Sequence, residues 1–382
     1  MTLDELLNVF RSHLHLPDPA PVEVVLGTIA ANLLPGDPVW LLLVGPPSSG
    51  KTEILSALSG LGCVHEVSTF TEPGLLSGSV SRRPGATGGL LAEVGEFGIV
   101  VCKDFTSLLS ESPDTRSGLL AALREIYDGS WVRRLGSEGG RTLAWSGKIG
   151  LLAGVTETID RHSAVMGAMG ERFALFRMPR LDENGRLSQG RTAARNAGRQ
   201  GAMRAELKAA TREFFDGLRV PKNIAPLSET EAEWLVRLAD LASRCRSAIE
   251  RDARDREIEL VPEPELPARL LAVLTQLVRG LRLIGVSNDE THRIVTNVAF
   301  DGMSKVRRAV VGLLVIRGPS AMPTTRGIAD ELGLAVNHTG RTLDDLAALR
   351  VVTRHAHRGG ELWEASLLLR ERWASLGSTP RS

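Results

Sequence analysis

The chain has 382 residues, 43% of them hydrophobic, and its formal net charge at pH 7 is +1. This length predicts two or three domains with a sizeable core. The near-neutral charge excludes a protein that wraps nucleic acid through overall positive charge, so any contact with nucleic acid must come from local basic patches.

The three cysteines lie far apart in sequence and show no C-x-x-C spacing, which predicts neither a disulfide framework nor a zinc site. Residues 1–5 contain no basic leader, and no apolar run approaches the roughly 20 residues that are needed to span a bilayer. We therefore expect a cytoplasmic protein with no membrane partner.

Residues 1–38 carry two apolar patterns at helical spacing, 3–14 and 22–34, before Pro35-Gly36-Asp37-Pro38 breaks the chain. We expect these segments to be brace helices packed on the core. From 39 to 180, apolar runs typical of buried strands alternate with helical stretches, which predicts an α/β fold around a parallel sheet. The four predicted strands are 39–44, 99–102, 149–155 and 173–178.

The next predicted part of the chain, 181–303, begins with an arginine-rich stretch, 182–222. That stretch is either a solvated helical linker or a basic face. From 229 to 301 the pattern is helical apart from breaks at 261–264 and 285–288, which predicts an all-α lid.

Residues 304–372 show three helical patterns followed by two short strands, and 373–382 form a tail. Three helices followed by a hairpin predict a winged helix-turn-helix. The predicted elements are helices over 306–316, over 325–332 and from about Asn337, and strands over 351–353 and 361–363.

The most informative motif is GPPSSGKT, which lies between a predicted strand and a predicted helix. Backbone N–H groups in such a loop, together with the helix N-terminus, can surround a phosphate group. The candidate ATP-binding residues are Gly45, Pro46, Pro47, Ser48, Ser49, Gly50, Lys51 and Thr52. Lys51 is predicted to contact the β- and γ-phosphates, and Thr52 is predicted to bind Mg²⁺.

A phosphate-binding loop of this kind needs an acidic residue at the end of a neighbouring strand to hold the metal or orient the attacking water. The candidate is Asp104, which follows the predicted strand 99–102 and Lys103. Asp104 is either the magnesium-side acid or the water-activating acid, and in the second case Lys103 stands at the magnesium position. The residues alone leave both roles open.

Two further candidates follow in the chain. Thr156, at the end of the next predicted strand, is the candidate contact for the γ-phosphate or its water, and Glu157 is the alternative acid. Arg172, just before the last predicted strand, is a candidate to act in trans on a neighbour's nucleotide, because a cation there stabilises the transition state of phosphoryl transfer. An ion-paired or surface arginine is the alternative interpretation.

With these motifs, residues 39–180 resemble the AAA+ superfamily, and within it the minichromosome-maintenance-like replicative helicases of a compact phage or mobile-element type. GPPSSGKT, GEFGIVVCKDF, GLLAGVT and GERF resemble Walker A, Walker B, sensor 1 and the arginine-finger motif, in that order. The resemblance implies a Mg²⁺-dependent ATPase that self-associates in a ring, with a hexamer favoured. Most AAA+ enzymes carry Asp-Glu where this chain has Lys103-Asp104.

The same resemblance assigns roles to residues outside the nucleotide loop. Residues 130–145 are similar to the pre-sensor-1 hairpin, which implies that Arg133, Arg134 and Arg141 hold single-stranded DNA in a central channel. The segment around Arg269 resembles the sensor-2 arginine, which would contact the nucleotide.

The predicted winged helix carries residues suited to DNA. Asn337, His338 and Arg341 are predicted to face the major groove, and Arg354 and Arg358 are predicted to line the wing. The alternative is that this domain packs on the ATPase core or binds a protein.

The function implied by these features is ATP hydrolysis coupled to DNA translocation, unwinding or remodelling in replication, with replication proteins as further partners. Two alternatives remain open. One is a slow ATPase that acts as a helicase loader or a nucleotide-dependent DNA-binding switch, and the other is a regulatory ATPase whose winged helix binds a protein.

Overall fold

A computed structural model describes residues 1–77, 88–135, 141–162, 172–252, 254, 257–261, 263–318, 322–358, 360–374 and 376. The chain folds into two compact units. The first unit takes in 1–162, 172–224 and 276–291, and the second takes in 225–275 and 292–382.

The first unit contains a mixed set of helices and strands. Its helices are α1 Leu3–His13, α2 Ala20–Leu33, α3 Lys51–Ser56, α4 Glu72–Leu75, α5 Leu90–Val94, α6 Thr106–Leu109, α7 Pro113–Tyr127, α8 Glu183–Arg195 and α9 Gln200–Asp216. Its strands are β1 Trp40–Val44, β2 Val64–Val67, β3 Phe97–Cys102, β4 Ser130–Leu135, β5 Arg141–Ser146, β6 Lys148–Val155 and β7 Phe173–Arg177. Short 3₁₀ turns cover Ala57–Gly60 and Glu157–His162.

A five-stranded sheet forms the centre of the first unit, with the order β2-β3-β6-β1-β7. All neighbouring strands in it are parallel. The carboxyl ends of parallel strands lie at one edge of a sheet, so the segments that follow β1, β3 and β6 meet there. This arrangement confirms the predicted α/β fold with a parallel sheet.

Helix α2 fixes β1 in the core. Nearly every residue of α2 is buried, and its Asn32 side chain donates to the Val39 carbonyl (2.9 Å) and accepts from the Val39 amide (2.9 Å). All five residues of β1 are buried as well, and the Trp40 indole donates to the Ile149 carbonyl at 2.7 Å. The predicted brace helices are therefore confirmed as helices, and the second of them positions the strand that leads into the phosphate-loop motif.

The four predicted strands of the sheet are all present, but the prediction missed β2. This strand has only four residues, and its burial is intermediate or exposed throughout. It lies at the end of the sheet and pairs with β3 alone. An edge strand of this kind lacks the continuous apolar run that identified the central strands.

The arginine-rich stretch 182–222 contains the helices α8 and α9, which belong to the first unit. Helix α9 packs against α1 and the 57–60 turn. Leu207 and Phe214 of α9 are buried, so one face of the helix has the apolar stripe of a packed element. The many arginines conceal that stripe, because they dominate the composition of the segment.

The second unit consists mainly of helices. Its elements are α10 Glu229–Arg246, β8 Glu250–Arg251, β9 Ile258–Leu260, α11 Ala268–Leu283, α12 Asn288–Asp301, α13 Lys305–Arg317, α14 Thr325–Leu332, α15 Val336–Ala348, β10 Val352–His357, β11 Gly360–Ala365 and α16 Leu367–Ala374. The chain passes between the two units within α11 and again within α12. Over the described residues of both units, no helix combines the length and apolar character that crossing a bilayer requires.

Two details of the second unit differ from the sequence-based expectation. The predicted all-α lid contains the short antiparallel pair β8–β9, and residues 276–291 of that segment belong to the first unit instead. The C-terminal elements follow the predicted order, with helices α13 to α15 and then the antiparallel hairpin β10–β11.

Candidate functional site

Residues 45–50 of the motif form a loop at the carboxyl end of β1, and residues 51–52 begin α3. The Gly45 amide donates to the Val155 carbonyl of β6 at 3.1 Å, and the Met178 amide donates to the Val44 carbonyl at 2.7 Å. Residues 46–48 are exposed. The loop is therefore held at its base by both neighbouring strands and is open to a ligand at its tip.

Glycine is needed at both ends of this loop, for different reasons. A Cβ atom on Gly45 would lie 2.7 Å from the Cγ atom of Met178, which is too close for a side chain. Gly50 has φ +89°, a left-handed conformation that favours glycine, and it immediately precedes α3. Ser48 also has a positive φ, of +63°. These conformations turn the loop tightly around the start of the helix.

The loop closes around the ammonium group of Lys51. Its Nζ donates to the carbonyl oxygens of Gly45 (2.7 Å) and Pro46 (2.8 Å) and to the Ser49 hydroxyl (3.2 Å). Lys51 is only 8% exposed, whereas the adjacent Thr52 is exposed. A bound phosphate would offer this ammonium a charged acceptor in place of neutral carbonyls, which is the stronger interaction.

The electrostatic surroundings of Lys51 identify two nearby acids. Burial lowers the pKa of the Lys51 ammonium, and the negative charges of Asp104 and Glu157 oppose that shift. Both carboxylates are exposed. The structure therefore brings the strand-end acids of β3 and β6 to the loop that follows β1.

Hydrogen bonds connect the segments that follow β3 and β6. Asp104 Oδ1 accepts from the Thr106 amide at 3.0 Å, and the Thr106 hydroxyl in turn accepts from the Thr156 amide at 3.1 Å. The hydroxyl of Thr156 lies 2.6 Å from that of Thr158. Asp104 and Thr156, which were predicted separately, thus belong to one hydrogen-bonded group.

Lys103 is oriented by an acid on the edge strand. Its Nζ lies 2.9 Å from Glu66 Oε1 of β2. A protonated lysine has no lone pair with which to bind a metal ion. Asp104 is therefore the residue of the Lys103-Asp104 pair that is able to bind Mg²⁺.

Helices α8 and α9 contribute contacts to the loop that the sequence analysis missed. The Gln189 side chain of α8 donates to the Ser48 carbonyl at 2.8 Å. Arg204 of α9 binds Glu53 of α3 through two hydrogen bonds, of 2.6 and 2.8 Å. These contacts join residues that are more than a hundred positions apart, so no local motif signals them.

Arg172, the candidate finger residue, is buried within the first unit. Its guanidinium group binds Asp128 at the end of α7, with an Nη2–Oδ2 distance of 2.6 Å, and lies 5.6 Å from the centre of the Tyr127 ring. The residue is 8% exposed and lines an open cavity of about 460 Å³ beside Trp131. This environment corresponds to the ion-paired alternative, and the trans role stays a prediction.

Replacing Arg172 with alanine is expected to lower the thermal stability of the first unit. The change removes a charge-assisted pair and a cation–π contact, which we expect to cost about 1–2 kcal/mol, or about 2–8 °C in Tm. Thermal unfolding followed by circular dichroism would measure this. The matched control is Arg134→Ala, at an exposed position of β4. An equal Tm for both variants would contradict a stabilising role for Arg172.

Strands β4 and β5 form an antiparallel pair where the sequence predicts a hairpin, and its DNA-channel role stays a prediction. Trp131 and Trp145 are opposite each other and buried, and Trp145 Nε1 donates to the Gly95 carbonyl at 2.7 Å. Arg133 is 3.1 Å from Glu72, so it anchors the hairpin, while Arg134 is exposed. The tip, 136–140, and the side chain of Arg141 lie outside the described residues.

The remaining predicted site residues lie in the second unit. Arg269 begins α11 and is 3.7 Å from Glu265, so its sensor-2 role stays a prediction. The predicted base-reading side chains on α15 are all exposed: Asn337, His338 and Arg341. In the predicted wing, Arg354 of β10 is paired with Glu361 of β11 at 3.1 Å, and Arg358 is exposed.

The described residues contain no group of three or more His, Cys, Asp or Glu side chains arranged to hold a metal ion. Mg²⁺ in nucleotide sites is usually bound by one or two carboxylates, phosphate oxygens and water, and the magnesium site stays a prediction. Thr52 and Asp104 are the residues that would hold it.

No protein-family model and no curated protein matches this chain. Two solved structures, both described as the A form apo structure of the NrS-1 C-terminal region, align with 96% of this chain and 76% of theirs. Their sequence identities to this chain are 11% and 10%, and the TM-scores are 0.28 and 0.29. At these TM-scores the likeness carries no argument about fold or function.

Proposed function

We propose that this protein is a Mg²⁺-dependent, AAA+-type ATPase with a C-terminal winged helix. One observation carries the proposal: the glycine loop that encloses Lys51 lies at the same sheet edge as Asp104 and Thr156. A triphosphate needs these three functions together, namely a cradle of amides with a lysine, an acid for the metal, and a polar group for the γ-phosphate.

We further propose that hydrolysis is coupled to work on DNA. The β4–β5 hairpin presents an exposed arginine, Arg134, and the exposed Val132 on the same strand. The helices α13 to α15 and the β10–β11 hairpin have the element order of a winged helix-turn-helix. An ATPase with both features is suited to translocation, unwinding or remodelling of DNA in replication. We propose that a ring oligomer, with a hexamer favoured, performs this activity.

The central test is to measure nucleotide binding and hydrolysis directly. We expect the purified protein to bind a fluorescent ATP analogue in magnesium buffer and to hydrolyse ATP faster when single-stranded DNA is added. Light scattering with and without nucleotide would report the predicted assembly. A lack of affinity for adenine nucleotides would refute the proposal.

A slow ATPase that acts as a loader or nucleotide-dependent DNA-binding switch is the second candidate, favoured by the Lys103–Glu66 ion pair. Lys103 takes the place of one of the two adjacent acids that most AAA+ proteins carry. Strand displacement on forked DNA separates the two candidates, because a loader should not unwind DNA without a partner helicase.

The proposed DNA contact of the winged helix predicts unequal effects for two arginines. Arg341→Ala is expected to weaken binding to duplex DNA by about 5- to 100-fold, because its side chain is exposed on α15. Arg354→Ala is expected to have a smaller effect, since Glu361 already neutralises that charge. Fluorescence anisotropy at several salt concentrations would compare them. Unchanged affinity in both variants would favour a protein-binding or packing role.

A further inference from the structure

An open cavity of about 310 Å³ lies within the first unit, next to the start of α3. Its lining combines cationic side chains with hydroxyl groups, and its described residues include no carboxylate. The lining residues are Thr52, Ser56, Ser59, Lys103, Arg204, Ala205 and Lys208. Ammonium, guanidinium and hydroxyl groups all donate hydrogen bonds, so this lining suits an anion.

The hydroxyl groups of the cavity come from α3 and the 3₁₀ turn that follows it. Thr52 and Ser56 are four residues apart on α3, so their side chains lie on the same face of the helix. The Ser59 hydroxyl of the turn donates to the Ser56 carbonyl at 3.0 Å, which holds the turn against the end of the helix. The cavity therefore extends one helical turn and more beyond the candidate phosphate loop.

Two of the cations are fixed by acids that are not among the described lining residues. Lys103, which follows β3, has its Nζ 2.9 Å from Glu66 Oε1. Arg204 of α9 binds Glu53 through Nε at 2.8 Å and through Nη2 at 2.6 Å. A guanidinium group has five N–H donors, so this bidentate bond orients Arg204 and leaves its Nη1 group able to donate to a ligand.

Lys208 adds a third cation to the cavity. It lies one turn after Arg204 on α9, and its stem lies against the 57–60 turn, where a Cβ atom on Gly60 would come 2.9 Å from Lys208 Cγ. Like charges four residues apart on a helix repel each other, and Lys103 lines the same cavity. An anion bound among these side chains would reduce that repulsion.

We propose that this cavity is a second phosphate-binding site, separate from the nucleotide loop. A phosphate group accepts hydrogen bonds on several oxygens, and Ser56, Arg204 and Lys208 would donate to it from two different helices. The site goes beyond the proposed ATPase function, since none of these three residues is a proposed nucleotide contact. Inorganic phosphate and the phosphate of a nucleic-acid backbone share the required chemistry.

Calorimetric titration with inorganic phosphate at constant ionic strength tests the site. Lys51→Met serves as the background, because it removes the ammonium group of the nucleotide loop, and we expect saturable phosphate binding to this protein. Adding Lys208→Gln is expected to weaken that binding by about 5-fold or more, because a charged donor is lost. Adding Ser56→Ala is expected to weaken it by about 3-fold or more, because a hydroxyl donor is lost. The matched control is Arg212→Gln, on the same helix, whose charge is paired with Asp216 at 3.5 Å, and it should leave phosphate affinity unchanged.

A short single-stranded oligonucleotide separates the two sources of phosphate. If Lys208→Gln weakens binding of both the oligonucleotide and inorganic phosphate, the site takes a backbone phosphate. If it weakens binding of inorganic phosphate alone, the site takes the free anion. The same substitutions in the wild-type background repeat both comparisons with Lys51 in place.

Three results would overturn the second site. They are a lack of phosphate binding by the Lys51→Met protein, unchanged affinity in both Lys208→Gln and Ser56→Ala, and an equal loss in Lys208→Gln and Arg212→Gln. The last result would show that general positive charge, and not the cavity, attracts phosphate. Failure of the wild-type protein to bind an ATP analogue would refute the ATPase proposal alone, since the phosphate titration uses no nucleotide.

Discussion

Replacing Lys51 with alanine is expected to lower ATP turnover by at least about 100-fold and to weaken nucleotide binding. The ammonium group lies at the centre of the loop, where it contacts two carbonyl oxygens and the Ser49 hydroxyl. In the nucleotide complex the same group would contact phosphate oxygens, and no other lysine or arginine belongs to the loop. Phosphate release in steady state and titration with a fluorescent ATP analogue would measure the two effects.

Two further variants serve as controls for the effect of Lys51→Ala on ATP turnover. Lys51→Met retains most of the side-chain volume without the ammonium group, so its loss of activity would show that the ammonium group, and not the volume of the side chain, is responsible. Lys222→Ala removes an exposed lysine in the segment after α9 and should leave turnover unchanged. Turnover near the wild-type rate in both Lys51 variants would show that the loop does not bind the triphosphate.

Replacing Gly280 with alanine is expected to destabilise the first unit severely. A Cβ atom at this position of α11 would lie 2.1 Å from the Gly27 carbonyl oxygen and 2.6 Å from the Ala31 amide nitrogen of α2. These are backbone atoms, so the two helices would have to separate. We expect a loss of about 3 kcal/mol or more in the free energy of unfolding.

A glycine in an open helical position provides the control for Gly280. Gly190 lies within α8, and no atom comes within 4 Å of a Cβ built on it. Gly190→Ala should therefore stabilise its helix by up to about 1 kcal/mol. Chemical denaturation of both variants would measure the difference, and equal stabilities would contradict the close helix contact.

The glycine-bearing loop after β1 and the central strands were predictable from sequence because their signals are local. Gly45, Gly50 and Lys51 fall within one short motif, and each central strand is a continuous apolar run. The position of Asp104 and Thr156 at the carboxyl edge of the sheet was also predictable from the sequence, because parallel strands end at the same edge. The role of Asp104 stayed open, because it depends on where Lys103 points.

The contacts of the α8–α9 segment could not be predicted, because its arginine-rich composition hides its packing. The arginines left a solvated linker and a basic face open, and the structure shows Arg204 bound to Glu53 and Gln189 bound to the Ser48 carbonyl. The spacing of polar residues along a helix does not reveal which distant residue each side chain will bind. The apolar face that holds α9 in place is narrow, with Leu207 and Phe214 among its buried residues.

The sequence by itself determined the elements whose causes lie within a few residues: the glycine-bearing loop after β1, the buried strands and the order of the C-terminal helices and hairpin. Tertiary structure alone decided that Lys103 points to Glu66, that Arg172 is buried against Asp128, and that residues 276–291 belong to the first unit. The physical reason is the separation along the chain of the residues that interact. Turn geometry and helical spacing act along the chain, whereas ion pairs and close helix contacts depend on which surfaces the completed fold brings together.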